Sequence, residues 1–174
     1  PDLFYAQNPY FKGFPDQNHE RKWAFIYIWW NRSDVPERFG TSPIFQIKPG
    51  QSFFKLNYRT LSLGISTENI WWGPGRQNSL LMSNNSEGFA HVSIKTNRPI
   101  HTNIGSFEGQ ILAGLLQASG FTPPDTAKTY TKTNLYFPKP DQNRYLSGMT
   151  INYQPKWIKG LFIGYSKVVQ QYVN

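Results

Sequence analysis

No cysteine occurs in this sequence, which removes disulfide scaffolds, thiol chemistry and Cys-ligated zinc. Alanine and glutamate are scarce, at 6 and 5 of 174 residues, while Gly and Pro together number 27. Both facts speak against a helical bundle or coiled coil. Nowhere does an apolar run reach the roughly 18 residues of a membrane-crossing helix. The strands of a membrane β-barrel escape that test, because they alternate. Acidic charge is also short: Asp plus Glu is 10 against 18 Lys plus Arg, a net charge of +8. The basic excess is scattered (Lys12, Arg21, Lys22, Lys128, Lys132, Lys156, Lys159) and forms no dense run. Nucleic acid is therefore not an expected partner. The chain opens at Pro1 without a basic stretch leading into an apolar one, so no signal peptide is expected within it.

What the chain does have is aromatic and neutral polar character. It carries 13 Phe, 10 Tyr and 6 Trp, 29 in all, beside 49 Asn, Gln, Ser and Thr residues. So many aromatics at this modest net charge are not expected to stay disordered, and the length fits one domain. The segment from Pro123 to Pro140 is the loop-richest part.

The clearest pattern has period two. Tyr145, Ser147, Met149, Ile151 and Tyr153 alternate with Leu146, Gly148, Thr150 and Asn152. Pro155-Lys156 then predicts a tight turn, and Trp157, Leu161, Ile163 and Tyr165 share a face opposite Gly160, Gly164 and Ser166. The two runs read as an antiparallel hairpin. Phe107, Ile111, Ala113 and Leu115 likewise alternate with Ser106, Glu108, Gln110 and Gly114. Leu61, Leu63 and Ile65 alternate with Ser62, Gly64 and Ser66, and Phe54, Leu56 and Tyr58 with Lys55, Asn57 and Arg59. A phase slip near Thr60 marks a bulge or turn. The run Trp23–Trp30 is apolar on both faces, and its β-branched and aromatic content favours a strand. The expectation is an all-β chain of six to nine strands.

Two kinds of protein write such strands. A soluble sandwich or barrel points the apolar face inward. A membrane barrel points it at lipid, lines its lumen with the polar face and marks the interfaces with aromatics. Period alone does not separate them. Here the polar face is Ser, Thr, Asn, Gln and Gly more than Lys and Glu, which suits a crowded lumen. The run Tyr145–Tyr153, about 9 residues with a Tyr at each end, fits a tilted spanning strand.

One stretch stands apart: Thr67-Glu68-Asn69-Ile70-Trp71-Trp72-Gly73-Pro74-Gly75-Arg76, followed by Ser79-Leu80-Leu81-Met82-Ser83-Asn84-Asn85. The segment Gly73-Pro74-Gly75 predicts a turn of type II, with Pro fixing φ and the following Gly supplying a positive one. Adjacent Trp71 and Trp72 point to opposite faces if the backbone is extended. Read structurally, the pair anchors packing or a membrane interface. Read functionally, it is a stacking platform for sugar rings, with Arg76, Asn84 and Asn85 as hydroxyl or carboxylate partners.

The series Trp71-Trp72-Gly73-Pro74-Gly75, Ser79-Leu80-Leu81 and Ser83-Asn84-Asn85 resembles the capsule-assembly Wzi family of outer-membrane proteins. So do Gly105–Gln110 and the hairpin from Arg144-Tyr145-Leu146-Ser147-Gly148 to Gln154-Pro155-Lys156-Trp157, in the versions found in Bacteroidetes-type bacteria. The resemblance spans residues 50 to 170. It implies an antiparallel transmembrane β-barrel of about 18 strands in the bacterial outer membrane. It also implies a lectin-like, non-catalytic role in anchoring or assembling capsular polysaccharide at the cell surface. Its implied partners are that polysaccharide and outer-membrane lipid, with no cofactor, and the complete barrel is a monomer. Residues 1–174 would then be one segment of such a barrel, lacking the N-terminal helical part and the remaining strands.

Catalysis finds little support. His19, His91 and His101 show no metal-binding spacing, and no nucleophile elbow or phosphate loop occurs. The alternative function is a soluble β-sandwich that binds or hydrolyses glycans, using Glu68 and Glu108 as its two carboxylates.

Overall fold

A computed structural model describes residues 1–8, 21–33, 39–40, 42–79, 81, 83–84, 87–123 and 125–173. In chain order these form β1 (Asp2–Ala6), α1 (Arg21–Arg32), β2 (Ile44–Lys48), β3 (Phe53–Tyr58), β4 (Leu61–Ser66) and β5 (His91–Thr96). There follow β6 (Ile100–Thr102), β7 (Gly105–Leu116), β8 (Thr129–Tyr130), β9 (Thr133–Asn134), β10 (Arg144–Pro155) and β11 (Ile163–Tyr172). Strand and antiparallel pairing dominate, as the alternation predicts. The eleven strands among the described residues exceed the six to nine expected because β6, β8 and β9 are only two or three residues long. Two compact units result: Pro49–Gln117 with Gln142–Asn174 and Pro1, and Asp2–Lys48 with Ala118–Asp141.

The first unit is one antiparallel sheet in the order β11-β10-β7-β5-β4-β3, with β6 added against β7. Its longest pairing runs from Arg144 opposite Leu116 to Pro155 opposite Gly105. Residues paired across strands share a face, so the register sorts every side chain. One face carries Phe54, Leu56, Leu63, Ile65, Val92, Ile94, Ile111, Leu115, Ile151 and Val169. The other carries Lys55, Ser62, Gly64, Ser66, His91, Ser93, Gln110, Thr150 and Ser166.

The apolar face is the open one. Ile65 and Ile111 are 60% and 63% exposed, whereas Ser62 and Ser66 on the other side are 2% and 4% exposed. Among the described strand residues, Lys167 is the lone charge on the apolar face. The polar face is covered at one end by the segment between β4 and β5. There Ile70 and Trp72 pack on Leu112 and Leu146, flanked by Leu81, Phe89, Leu116 and Val168. Thr150 and Ser166 hydroxyls meet at 2.8 Å on the same face.

Connections differ at the two ends of the sheet. At one end β3 turns into β4 through Arg59-Thr60, with Arg59 at φ 52, and β6 turns into β7 through 103–104. Thus the phase slip near Thr60 is a hairpin turn. At the other end lie the long connections 67–90 and 117–143. The hairpin of β10 and β11 belongs to the short end, but its connection is the whole of 156–162. The second strand begins only at Ile163, so Trp157 and Leu161 lie in the loop and not on a strand face, and Gly160 there takes φ 84.

In the second unit the run Trp23–Trp30 corrects its expectation: it lies inside α1 and is not a strand. Ala24, Tyr27 and Asn31 form a buried stripe at helical spacing, and Ala24 and Tyr27 pack with Leu135, Tyr130 and Tyr136. The Tyr27 hydroxyl donates to the Asp125 carbonyl at 2.5 Å, and the Asn31 amide donates to the Tyr27 carbonyl at 3.0 Å. Those tertiary contacts override the weak strand preference of aromatic residues. Elsewhere in this unit β1 pairs with β2, and buried Asn8 donates to the carbonyls of Phe39 and Ser42 while accepting from the Phe39 amide.

Candidate functional site

The motif loop leaves β4 at Ser66 and returns to β5 at His91. Its base is pinched shut, because a Cβ on Gly88 would lie 1.9 Å from the Thr67 carbonyl oxygen. Thr67 secures that base, its amide donating to the Ser52 carbonyl at 2.8 Å and its hydroxyl to the Gly50 carbonyl at 2.7 Å. The Asn69 amide donates to Gln51 Oε1 at 2.7 Å.

Beside the base sits Glu68. It accepts from Lys55 Nζ at 2.8 Å and from the Ser66 hydroxyl at 3.2 Å, and its own amide donates to Ser66 Oγ at 3.0 Å. The hydrogen bond from Lys55 holds the Glu68 carboxyl below the ordinary glutamate range, against an opposing effect of partial burial. Lys55 reaches it because Gly64, opposite on β4, has no side chain; a Cβ there would lie 2.8 Å from Lys55 Cγ.

The two tryptophans diverge, as an extended pair should. Trp72 is buried and its Nε1 donates to Gln110 Oε1 at 3.0 Å. Its ring lies on Gly148, where a Cβ would come within 2.8 Å of Cη2. Both ring and donor are thus used within the protein. Trp71 is 39% exposed, and its Nε1 donates to the Gly75 carbonyl at 2.8 Å, closing a small ring of chain.

Inside that ring the turn differs from the type II expectation. Gly73 has the positive φ, at 103, and Gly75 does not. Gly75 answers a different need: a Cβ there would lie 2.1 Å from the Asn78 carbonyl oxygen. Arg76 and Asn84 are exposed on the same loop. Asn85, Leu80 and Met82 of the motif, and His19, lie outside the described residues.

Glu68 and Glu108 do not face each other. Glu108 lies six positions along β7 from Gly114, the residue level with His91 and Ser66. At about 3.4 Å per residue that is on the order of 20 Å. A glycosidase pair stands roughly 5–9.5 Å apart. His91, for its part, places Nδ1 2.8 Å from the Phe89 carbonyl and its ring 5.0 Å from the Phe89 ring.

Reasoning on the sequence missed three contributors: Gln110 as the partner of Trp72, Gly148 as the floor beneath it, and Lys55 as the partner of Glu68. Alternation does place Gln110, Gly148 and Lys55 on one face, but not opposite these partners.

The site is therefore a looped segment with one buried and one exposed indole, laid on the polar face of an antiparallel sheet whose apolar face is open. Residues 46–170 match the family model of the capsule assembly protein Wzi, from β2 through most of β11. The chain belongs to that family, as the motif resemblance predicts. No curated protein and no solved structure matches it.

Proposed function

We propose that this chain forms part of an outer-membrane β-barrel that binds capsular polysaccharide and helps anchor or assemble it at the bacterial cell surface, without catalysing a reaction. The observation that carries the reading is the inverted sheet: branched aliphatics open to the surroundings, serines buried. In water that arrangement forfeits hydrophobic stabilisation of roughly 1.5–3 kcal/mol for each large apolar side chain left exposed. Against lipid it is the stable one. Closure into a barrel also supplies partners for the free edges of β3 and β11, which pair with no further strand among the described residues.

Bacterial barrels place short turns on the periplasmic side and longer loops outside. Applied here, the connections at Arg59-Thr60 and 156–162 face the periplasm, and the motif loop faces the cell exterior. The half-exposed Trp71 ring, with Arg76 and Asn84 nearby in the chain, then meets polysaccharide. Trp72 holds the loop in place from beneath.

The test is capsule retention on cells carrying Trp71→Ala, with assembly verified by gel mobility that changes only on boiling. Capsule shed from cells with an assembled variant is the expected outcome. Retention equal to the parent, in an assembled variant, removes Trp71 from the site. The soluble glycan-hydrolase reading lacks a carboxylate pair at Glu68 and Glu108.

A further inference from the structure

Away from the motif loop, at the short-connection end, a cleft of about 420 Å³ opens between β6, the start of β7 and the loop after β10. Across its floor three polar residues stand in one row, His101 level with Ser106 and Ser106 level with Gln154. Their row lies on the same side of the sheet as Gln110, Ser93 and Ser62, by the two-residue alternation of β7. Two lysines, Lys156 and Lys159, complete the lining, and no acidic side chain is among its residues.

The floor is built and not incidental. His101 Nδ1 sits 2.8 Å from Ser106 Oγ, and the Thr102 hydroxyl donates to the Gly105 carbonyl at 2.7 Å. Gly105 has φ 149, and a Cβ on it would lie 2.2 Å from the Gln154 carbonyl oxygen, so only glycine lets β7 and β10 meet there. The rim is fixed by Lys156, whose amide donates to the Ile104 carbonyl at 3.2 Å, and by the Tyr153 hydroxyl, which donates to the same carbonyl at 2.9 Å.

The loop that brings the lysines is two-sided. Between and after them come Trp157, Ile158, Leu161 and Phe162, all exposed, Trp157 at 67% and Phe162 at 69%. Both lysines line the cleft, while the large apolar side chains of the same loop stay open to the surroundings. An aromatic belt at a membrane interface has this composition.

From this geometry we infer a second carbohydrate site, separate from the motif loop: the cleft at Lys156 and Lys159 takes an acidic sugar residue of a glycan. The two ammonium groups supply charge for a carboxylate, and Ser106, Gln154 and His101 supply hydroxyl partners. A volume of about 420 Å³ lies within the range of small-ligand sites. The inference rests on the polysaccharide-binding reading and extends it to the opposite end of the sheet.

The test uses the full chain in detergent, with oligogalacturonate as the acidic probe, a neutral oligogalactose of equal length, and inorganic phosphate as competitor. The parent is expected to bind oligogalacturonate, and Lys156→Gln with Lys159→Gln to weaken it at least tenfold. The corresponding pair of Lys→Arg substitutions is expected to retain binding within about threefold, since each keeps its charge. Unchanged binding in the Lys→Gln pair overturns the inference. So does equal binding of neutral and acidic probes, or phosphate displacing the probe at concentrations that match its own binding, which marks a simple anion site. If Trp71→Ala abolishes capsule retention while the Lys→Gln pair binds oligogalacturonate like the parent, this site falls and the function proposed above stands. If neither variant changes retention or binding, both fall.

Discussion

Around α1 one stripe of side chains is buried and the other aromatics stay open; in the seven-stranded sheet a whole apolar face stays open. Ala24, Tyr27 and Leu135 are each less than a tenth exposed and pack together, while Phe25 and Trp29 on the same helix are more than half exposed. Leu56, Ile65 and Ile111, no less apolar, expose 60% or more. The helix thus packs through a stripe and the sheet leaves one face open, which under the function proposed above is the face that meets lipid. Hydrophobic burial needs water on the far side; where lipid replaces water, alkyl groups gain nothing by hiding and backbone pairing dominates. The polar face then becomes the one that needs filling. That is where Trp72, Gln110, Lys55 and Glu68 are found.

The largest expected effect comes from the buried cluster on the polar face of the sheet. Trp72→Ala removes a buried indole from the cluster with Leu112 and Leu146 and leaves Gln110 without its donor, costing about 3–5 kcal/mol in a urea titration of the folded protein. Trp71→Ala, by contrast, loses an exposed ring and one hydrogen bond, about 1 kcal/mol. Equal losses would show that the two indoles do not divide their roles as described.

Next comes a charge on each face. Ile111→Arg is expected to destabilise by about 2–4 kcal/mol in a bilayer, the cost of a cation facing lipid near mid-height. Gln170→Lys, on the polar face of β11, should stay within about 0.5 kcal/mol. Reversal of that order would place water on the apolar face.

The smallest effect sits at the loop base and depends on pH. The Glu68 carboxyl titrates below its ordinary value in the folded protein, chiefly through Lys55. Its contribution is therefore complete above the unfolded value of about 4.3 and is lost as pH falls through the lower folded value. Protease cleavage within 67–90 should rise on acidification through that window, and Glu68→Gln should remove the dependence. A pH response that survives Glu68→Gln would assign it to another group.

Much of the sheet was legible from its sequence because period two is a strong local signal. The runs in β3, β4, β7 and β10 fall on strands with the faces sorted as the alternation predicts. His91–Thr96 carries the same signal, polar at His91, Ser93 and Lys95. Which face lies open is not local information, since alternation is identical in a sandwich and a barrel. The helix at Arg21–Arg32 was hidden by its aromatics, whose strand preference yields to the packing of Tyr27 on Leu135.

In the motif loop the glycines fall at a turn, but the positive φ expected of Gly75 belongs to Gly73. Gly73 supplies the left-handed residue and Gly75 the close approach, a distinction of three-dimensional contact that spacing does not carry. The tight turn after Pro155 became a longer loop because Gly160 and not Lys156 reverses the chain before Ile163.

A chain without cysteine makes the central claim directly measurable. Single substitutions Ile65→Cys and Ile111→Cys report on the apolar face, and Ser93→Cys on the polar one. In membranes carrying the protein, a polarity-sensitive maleimide dye at Ile65→Cys and Ile111→Cys should emit as in hydrocarbon and be quenched by spin-labelled acyl chains. The same dye at Ser93→Cys should escape that quenching. Dyes at Ile65→Cys and Ile111→Cys that emit as in water and ignore the acyl-chain quencher would contradict the account.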